Sequence, residues 1–474
     1  MSKKAFVVTG LGYGDEGKGK VTYWLSSKHK AHTVIRTGGP QAMHRVVTSK
    51  GQEHVHAQFG SGTLAGASTH LSKNMVIDPH AIMAEGNALK SELGKNWVFE
   101  ALSIHEDALV ITPFHAIANR LRELSRSDKR YGSVGVGVGE TVLDAESFLE
   151  EAIRAKDLCH PNLKEKLKSI QKRKILELQE IISRIDKLPK NLRDRARFEA
   201  SNLQNDKTIK WALDWFTEMA ALANIVDTSY VAEKILGRSG TVIFEGSQGV
   251  LLDRFYGFHP YTTKVRIIPE TALSLLRECD YNGEVTSLGV LRAYHTRHGG
   301  GPFVAESAEL TEQLPDASNQ SHQWQGNFRV GCFDLVMAKY AIEVCKNQLD
   351  GLVITCVDRI QSLGRWEVCR SYNGPYINPF FISDFFLQNN ADKIIGIKVS
   401  DSIGKLQIER QEELSRFLYQ CFPNIEVLKI TDPLFIGFQF IRDELNMPVY
   451  AVSTGPMNKD CIEPEYQIDL GILK

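Results

Sequence analysis

The sequence lacks several features that mark membrane, secreted and zinc-ribbon proteins. None of its eight cysteines forms a C-x-x-C pair, which argues against a zinc ribbon and favours reduced thiols. No apolar run approaches the length of a membrane span, and Met1–Lys4 leads directly into a strand-like segment without a signal peptide. We therefore expect a cytoplasmic protein that does not contact membranes.

A large excess of charge of one sign is also missing. The 56 basic and 57 acidic residues leave a formal net charge of -1, so no overall field attracts nucleic acid. The hydrophobic content of 43% is ordinary for a globular protein. No internal repeat or low-complexity linker divides the 474 residues. We predict a single domain over residues 1–474 and no nucleic-acid partner.

What the sequence does contain is a glycine-rich stretch, GLGYGDEGKGK, at residues 10–20. It follows the apolar run Ala5–Thr9 and precedes apolar residues at helical spacing. A strand, a glycine turn and a helix in this order direct backbone N–H groups and a helix N-terminus at a phosphate. Gly12 to Lys18 fit the P-loop pattern, but Gly19 replaces the serine or threonine that ligates Mg²⁺.

Two acidic residues inside this loop, Asp15 and Glu16, are unusual for a phosphate site. A carboxylate near phosphates is repelled unless a cation or a proton-transfer role offsets the repulsion, and Asp15 is a candidate for either. The alternative is a plain turn with solvated acids. The density of glycine and the neighbouring Lys18 and Lys20 favour phosphate binding.

Further strand-like segments end in loops that carry much of the glycine, which is where ligands bind in open α/β sheets. We predict an α/β fold in which helices flank a large, mostly parallel central sheet, similar to that of P-loop NTPases. The segments are Thr33–Arg36, Met75–Asp78, Thr241–Phe244, Val285–Leu291, Leu352–Asp358 and Val449–Ser453.

A charged helical subregion interrupts this pattern over residues 145–225. Acids alternate with bases there and no aromatic residues interleave them between Lys164 and Arg197, so a solvated helical hairpin is favoured over a nucleic-acid surface.

The short segment His54-Val-His56 places two histidines on one face of a predicted strand. Histidines at i and i+2 can ligate a metal, but no cysteine or well-spaced carboxylate stands nearby in the sequence. A half-buried strand is therefore the favoured interpretation.

Several long motifs, taken together, resemble those of the adenylosuccinate synthetase family. They occur in the family's order from Val8 to Pro456, which makes their combination far more specific than any one of them. The motifs WGDEGKGK, FEGAQGxLLD, KAYxTRVGxGPFPTE, TKLD and STGP correspond to Tyr13–Lys20, Phe244–Asp253, Arg292–Glu306, Thr355–Asp358 and Ser453–Pro456.

The resemblance implies a ligase that activates the 6-oxo group of a purine nucleoside monophosphate. In this family the γ-phosphate of GTP is moved onto that oxygen, and the amino group of L-aspartate then displaces it. With IMP as the acceptor the products are adenylosuccinate, GDP and phosphate. The resemblance also implies Mg²⁺ as cofactor and a homodimer.

The family's residue roles can be transferred to matching positions. Asp15 corresponds to the base that takes the purine N1 proton, and it is an Mg²⁺ ligand together with the backbone of Met43. His44 is the implied acid, Lys18 offsets phosphoryl charge and Gln248 holds the purine. The implied GTP contacts are Gly14, Glu16, Gly17, Lys18, Gly19, Lys20, Asp358, Ser453, Thr454 and Gly455. The implied contacts to the purine monophosphate and the amino acid are Gln41, Ala42, Ser133, Gln248, Thr263 and Arg329.

Departures from the family pattern leave the substrates open. The loop Gln323–Cys332 keeps only Arg329 of the arginines that bind aspartate, although a dicarboxylate needs bidentate cationic partners. Cys356 replaces the lysine that stacks on guanine, and Met43 replaces a glycine. In the glycine-rich loop 131–139, a phosphate-binding threonine of the family pattern is missing. A plain surface loop therefore remains an alternative for this segment.

Three alternatives follow from these departures. The first is a related ligase that uses another amino acid or another acceptor such as dGMP, the substrate of phage relatives. Those relatives usually alter the loop carboxylate, so the retained Asp15 favours an IMP-like acceptor. The second is a nucleotide-binding protein without ligase activity. The third is a simple P-loop NTPase, which Gly19 disfavours.

Overall fold

A large parallel sheet forms the centre of the protein. The computed structural model describes residues 2–316, 319, 324–374, 379–402, 404–430 and 435–464. In chain order its strands are β1 (Lys3–Gly10), β2 (Thr33–Gly38), β3 (His44–Val47), β4 (Glu53–His56), β5 (Ser68–Ile77), β6 (Leu102–His105), β7 (Leu109–Val110), β8 (Asn224–Val226), β9 (Gly240–Glu245), β10 (Glu284–Arg292), β11 (His295–His298), β12 (Phe328–Gly331), β13 (Phe333–Asp334), β14 (Gly351–Thr355), β15 (Arg365–Asn373), β16 (Phe386–Gln388), β17 (Ile394–Ile397), β18 (Phe422–Lys429), β19 (Val449–Ser453) and β20 (Cys461–Ile462).

Helices cover this sheet and form a separate layer at one end. In chain order they are α1 (Lys18–His29), α2 (Pro79–Leu93), α3 (Pro113–Ser125), α4 (Val138–Ser147), α5 (Leu163–Glu177), α6 (Gln179–Ser183), α7 (Lys190–Leu203), α8 (Lys207–Leu222), α9 (Thr228–Tyr230), α10 (Glu270–Glu278), α11 (Ala308–Gln313), α12 (Leu335–Val344), α13 (Val357–Leu363), α14 (Pro379–Phe385), α15 (Gly404–Leu418) and α16 (Ile441–Leu445). None of the described helices is long and apolar enough to cross a membrane.

The central sheet has the order β20-β19-β14-β10-β1-β9-β2-β5-β6-β8, with β7 beside β5. Every pair is parallel except β19 with β20. The apolar run Ala5–Val8 explains why β1 lies in the middle, since both faces of this strand are buried. The predicted α/β class with a mostly parallel sheet is confirmed.

The parallel sheet brings the predicted site residues to one edge, because parallel strands end at the same edge. The carboxyl ends of β1, β2, β9, β10 and β14 are neighbours in the sheet, and each leads into a loop that contains a predicted site residue or motif. Ligands bind at this edge in open α/β sheets. A second, smaller sheet contains β13, β15, β16, β17 and β18, while the hairpin β3–β4 and the antiparallel pair β11–β12 each form a separate two-stranded sheet.

The charged subregion forms α5 to α8, which share an apolar core with α2 and α3. Leu167, Ile170 and Phe216 are buried in that core. The expectation of a solvated hairpin is therefore only partly correct, because these helices also bury apolar residues. Lys174 is also buried, and its ammonium lies 2.6 Å from a carboxylate oxygen of Asp144. The charge pattern of the sequence did not reveal that some of these charges pair inside the helical layer.

Candidate active site

The loop after β1 is built around the buried side chain of Glu16. Its Oε1 accepts hydrogen bonds from the backbone N–H groups of Gly12 (2.9 Å) and Gly14 (2.8 Å). Its Oε2 lies 2.6 Å from the ammonium of Lys18. The carboxylate of Glu16 therefore holds the loop in shape from inside. The sequence analysis predicted a nucleotide contact for Glu16 and did not anticipate this structural role.

Gly19 lies where the hairpin β3–β4 packs against the first turn of α1. A Cβ atom at Gly19 would be 2.7 Å from the Cβ of His44 and 3.2 Å from the backbone oxygen of Arg45. Real Cβ atoms essentially never come within 3.0 Å of such atoms, so the contact with His44 could form only if the hairpin moved. The missing P-loop hydroxyl thus has a steric reason, because the hairpin occupies the space that a serine or threonine would need.

Serine at position 19 is expected to destabilise the protein and displace His44. Overpacking at such a site costs about 1–3 kcal/mol, which Gly19→Ser should show as a lower free energy of unfolding in urea. Gly139→Ser is the matched control, since its Cβ would meet only the flexible side chain of Lys264 at 3.3 Å. Equal stability of the two variants would contradict the packing argument.

His44 is oriented by a buried charge cluster at the ends of two neighbouring strands. Its Nδ1 is 2.7 Å from Oε1 of Glu245 and 3.1 Å from Nη1 of Arg36. Arg36 and Glu245 are register partners on β2 and β9, and their side chains are fully buried 3.3 Å apart. Ser61 adds a backbone N–H to the same carboxylate at 2.9 Å.

This cluster leaves Nε2 of His44 available for chemistry. The atom is buried and has no hydrogen-bond partner within the described part of the chain. Burial, and then the charge of Arg36, lower the pKa of His44 to about 4. Burial alone would raise the pKa of Glu245, but the charge of Arg36 and the hydrogen bonds from His44 and Ser61 outweigh it and hold that pKa far below its usual range. The predicted acid is thus neutral in the free protein.

Arg36 and Glu245 were not among the sequence candidates. A signal for them was present, because a basic and an acidic residue end two predicted strands that are otherwise apolar. Only the register of the sheet shows that the two charges are neighbours.

Asp15 lies beside a histidine that the sequence analysis also missed. Its Oδ2 is 3.4 Å from Nε2 of His298, which ends β11 and packs on the ring of Phe328. Burial raises the pKa of Asp15, while His298 and Arg292 oppose this rise. The signal in the sequence was the departure from the family motif, in which valine stands where this chain has His298.

The predicted purine contacts include one pair of side chains that meet and one amide without a hydrogen-bond partner among the described residues. Gln248 is 9% exposed, and neither of its amide atoms has a hydrogen-bond partner among the described residues. Gln41 donates from Nε2 to Oγ1 of Thr263 at 3.4 Å. Buried polar groups are normally paired, so the unpaired amide of Gln248 is the arrangement expected of a ligand contact.

The other residues predicted near the purine, Ser133, Ala42 and Met43, lie in neighbouring loops. Ser133 accepts a hydrogen bond from Asn119 at 2.8 Å, which holds the glycine-rich loop. The backbone oxygen of Ala42 accepts from Arg36 at 3.5 Å. The side chain of Met43 is 60% exposed, so the replacement of glycine by methionine causes no crowding there.

Arg329 is engaged in holding a neighbouring loop. Its Nη1 donates to Glu306 at 2.6 Å and its Nη2 to the backbone oxygen of Gly301 at 3.1 Å. Its register partner Arg297 is buried and donates to the backbone of Gly300 and Pro302. Gln323, the first residue of the predicted aspartate loop, lies outside the described residues.

The predicted nucleotide contacts from the end of the chain also meet the first loop. Lys20 donates to the hydroxyl of Ser453 and to the backbone oxygen of Gly455. Thr355 donates from Oγ1 to the backbone oxygen of Glu16 at 2.6 Å, which places the end of β14 against the loop. Asp358 follows in the first turn of α13. Residues that are distant in sequence therefore form one cluster.

Comparisons with known proteins agree with this arrangement. A family profile described as adenylosuccinate synthetase matches residues 7–392. The chain is 28% identical over 466 residues to the adenylosuccinate synthetase of Thermoplasma volcanium, with 96% of each chain covered. It is 32% identical over 382 residues to the enzyme of Thermoplasma acidophilum, covering 78% of this chain and 79% of that one.

Two solved structures share the fold. Fully ligated adenylosuccinate synthetase from Plasmodium falciparum superposes with a TM-score of 0.72 at 18% identity, covering 97% of this chain and 99% of that chain. Succinoaminodeoxyadenylate synthetase of cyanophage S-2L, bound to dGMP and to dATP as energy donor, has a TM-score of 0.56 at 17% identity, with 99% and 98% covered. The profile match and the relative of 32% identity show that the chain belongs to the adenylosuccinate synthetase family and is a ligase that forms C–N bonds.

Proposed function

We propose that the protein joins L-aspartate to the 6-position of IMP in a reaction driven by GTP. The observation that carries this proposal is the placement of two proton-transfer groups around one phosphate loop. Asp15 belongs to the loop itself, and His44 packs directly on Gly19 with an unpartnered Nε2. A P-loop NTPase or a nucleotide sensor has no use for this pair.

In the first step Asp15 takes the N1 proton of the purine, and the 6-oxo oxygen attacks the γ-phosphorus of GTP. A P–O bond to the purine forms while the bond to GDP breaks. The raised pKa of Asp15 suits a base that must keep the proton after the transfer.

His44 acts on the leaving side of the same step. The anionic phosphates raise its pKa from about 4, and Glu245 stabilises the imidazolium through Nδ1. Nε2 then donates to the departing GDP oxygen, while Lys18 offsets phosphoryl charge. In the second step the amino group of aspartate attacks C6 and phosphate leaves.

The residues around Asp15 fit the Mg²⁺ ion that the family implies. Mg²⁺ prefers oxygen ligands and is usually bound by one or two carboxylates together with substrate phosphates. Asp15 offers a partly exposed carboxylate whose pKa is raised by desolvation, so a cation beside it would stabilise the ionised form. Asp15 and the backbone oxygen of Met43 would hold the ion, which when bound neutralises phosphate charge.

The GTP and aspartate contacts are proposed on the same basis. The group formed by Lys20, Ser453 and Gly455 closes one side of the phosphate loop, and Asp358 would accept the guanine N–H groups. Arg329 would bind the side-chain carboxylate of aspartate by exchanging its bond to Glu306. The homodimer remains a prediction, which light scattering of the purified protein tests.

The decisive experiment supplies the purified protein with Mg²⁺, GTP, IMP and aspartate and identifies nucleotide products by mass spectrometry. Adenylosuccinate that depends on all three substrates supports the proposal. Parallel reactions replace IMP by dGMP, GTP by ATP or dATP, and aspartate by each other amino acid. The cyanophage neighbour supports dGMP as the second candidate acceptor.

Each other outcome has a distinct meaning. An adduct with dGMP but none with IMP would overturn the acceptor and keep the ligase. Nucleotide binding without any adduct in the whole panel would overturn the ligase reaction. GTP hydrolysis that needs no purine acceptor would indicate a P-loop NTPase instead.

Replacing His298 by valine is expected to move the acidic limb of the kcat/KM profile to higher pH. His298 lowers the pKa of Asp15, so when valine replaces it the effect of burial on Asp15 is opposed less and that pKa rises further. The acidic limb reports the essential base of the free enzyme, which must be ionised to act. A profile measured from pH 5 to 9 tests this, and an unchanged limb would contradict the coupling.

A further inference from the structure

A second group of potential metal ligands lies outside the site described above. His54 and His56 project from β4, and Glu85 comes from the middle of α2. One ligand atom from each of the three residues lies within 4.8 Å of the other two. His56 is fully buried, and the side chains of His54 and Glu85 are 9% and 6% exposed.

The two imidazoles are close to the carboxylate but do not form hydrogen bonds with it. Oε1 of Glu85 is 3.9 Å from Nε2 of His54 and 3.6 Å from Nδ1 of His56, beyond hydrogen-bond distance. Within the described residues, His54 Nε2 and both ring nitrogens of His56 are buried without a hydrogen-bond partner. Unpaired buried nitrogens are rare, so this arrangement calls for a ligand.

The carboxylate is fixed in position from the other side. Its oxygens accept backbone N–H groups of Gln58 at 2.7 Å and Phe59 at 3.1 Å. Such outer hydrogen bonds orient metal-binding carboxylates in known sites. Glu85 is therefore held with one oxygen toward the two histidines.

Two of the three ligand separations are close to those around a tetrahedral ion, and the third lies within 4.8 Å. Zinc–nitrogen and zinc–oxygen bonds of about 2.0–2.2 Å place neighbouring ligand atoms roughly 3.3 Å apart. The observed separations of 3.6 and 3.9 Å exceed this by only a few tenths of an ångström. Two imidazoles and one carboxylate suit Zn²⁺, whereas Mg²⁺ prefers oxygen ligands.

We propose that His54, His56 and Glu85 bind one divalent transition-metal ion, with Zn²⁺ as the fitting species. The fourth position is left to a water molecule. This ion would be separate from the Mg²⁺ proposed at Asp15. The proposal does not depend on which nucleotide or amino acid the enzyme uses.

The ion would fasten the hairpin that carries His44. His56 on β4 is the register partner of His44 on β3, and Glu85 belongs to α2. Arg36, which contacts His44, also donates to the backbone oxygen of Ala57 at 3.1 Å. Metal binding would thus link the hairpin to α2 directly behind the predicted acid.

The test strips the full-length protein with a chelator, removes the chelator and adds Zn²⁺ or Co²⁺ without any substrate. We expect one tightly held Zn²⁺ per chain by elemental analysis and a higher Tm. Co²⁺ should give the intense visible absorption of a four-coordinate site. His54→Gln, His56→Ala and Glu85→Gln should each weaken Zn²⁺ binding by at least about 100-fold.

His80→Ala is the matched control, because His80 is an exposed histidine on the same helix. It should bind Zn²⁺ as the unmodified protein does. His54→Gln changes a partly exposed residue and serves where a core substitution fails to fold, as judged by circular dichroism. Failure of the unmodified protein to retain Zn²⁺, or equal retention by folded ligand variants, would overturn the proposal. The result is independent of ligase activity.

Discussion

Asparagine in place of Asp15 is expected to lower kcat for adduct formation by about 10²–10⁴-fold, the range attributed to one general acid or base. The amide would keep the size of the side chain but could not accept the N1 proton. It would also remove the charge proposed to bind Mg²⁺. The measurement is the rate of succino-nucleotide formation at saturating substrates, followed by mass spectrometry.

Binding and folding controls separate this effect from general damage. Asp107→Asn changes a surface carboxylate that pairs with Lys156 and should leave the rate unchanged. Asp15→Asn should still bind nucleotide and unfold at a similar urea concentration. A rate within a few-fold of the unmodified enzyme would remove Asp15 from the chemistry.

The second large effect is expected from Glu245→Gln. Glutamine would leave the fully buried guanidinium of Arg36 without its charged partner. Breaking a buried ion pair from one side costs about 3–5 kcal/mol, a large part of the stability of a typical domain. It would also release His44 from its fixed orientation, so kcat should fall as well. Urea unfolding and initial rates measure the two effects on the same preparation.

Glu53→Gln provides the comparison at an exposed pair. Glu53 contacts Arg45 on the same hairpin as His44, but its side chain is 46% exposed. Surface pairs of this kind contribute about 0–1 kcal/mol. Similar losses of stability in the two variants would show that the buried cluster has no special role.

The sequence predicted those parts of the site that lie in continuous motifs. The spacing of Asp15 and Lys18 within one turn predicted a phosphate loop, whereas His44 and Gln248, in loops that follow predicted strands, were identified through the family resemblance. The α/β class and the family are confirmed. The roles of these residues, the Mg²⁺ ion and the homodimer remain predictions.

What the sequence could not predict depends on register and on packing between distant segments. The inward turn of Glu16 requires the two amides that bind it, and the Arg36–Glu245 pair requires the alignment of β2 with β9. The strand interpretation of His54 and His56 is correct, yet the carboxylate missing from their neighbourhood arrives with α2. The periodicity of the sequence could not show that Glu85, on the following helix, lies against these two histidines.

The contact of Lys20 with Gly455 also determines at which stage of chain synthesis the site can form. The two residues are 435 positions apart, and β1 pairs with strands that begin at Gly240 and Glu284. A ribosome must release nearly the whole chain before the phosphate loop is closed, and contacts of such sequence separation form slowly. Partly synthesised chains should therefore lack the closed loop and bind no nucleotide.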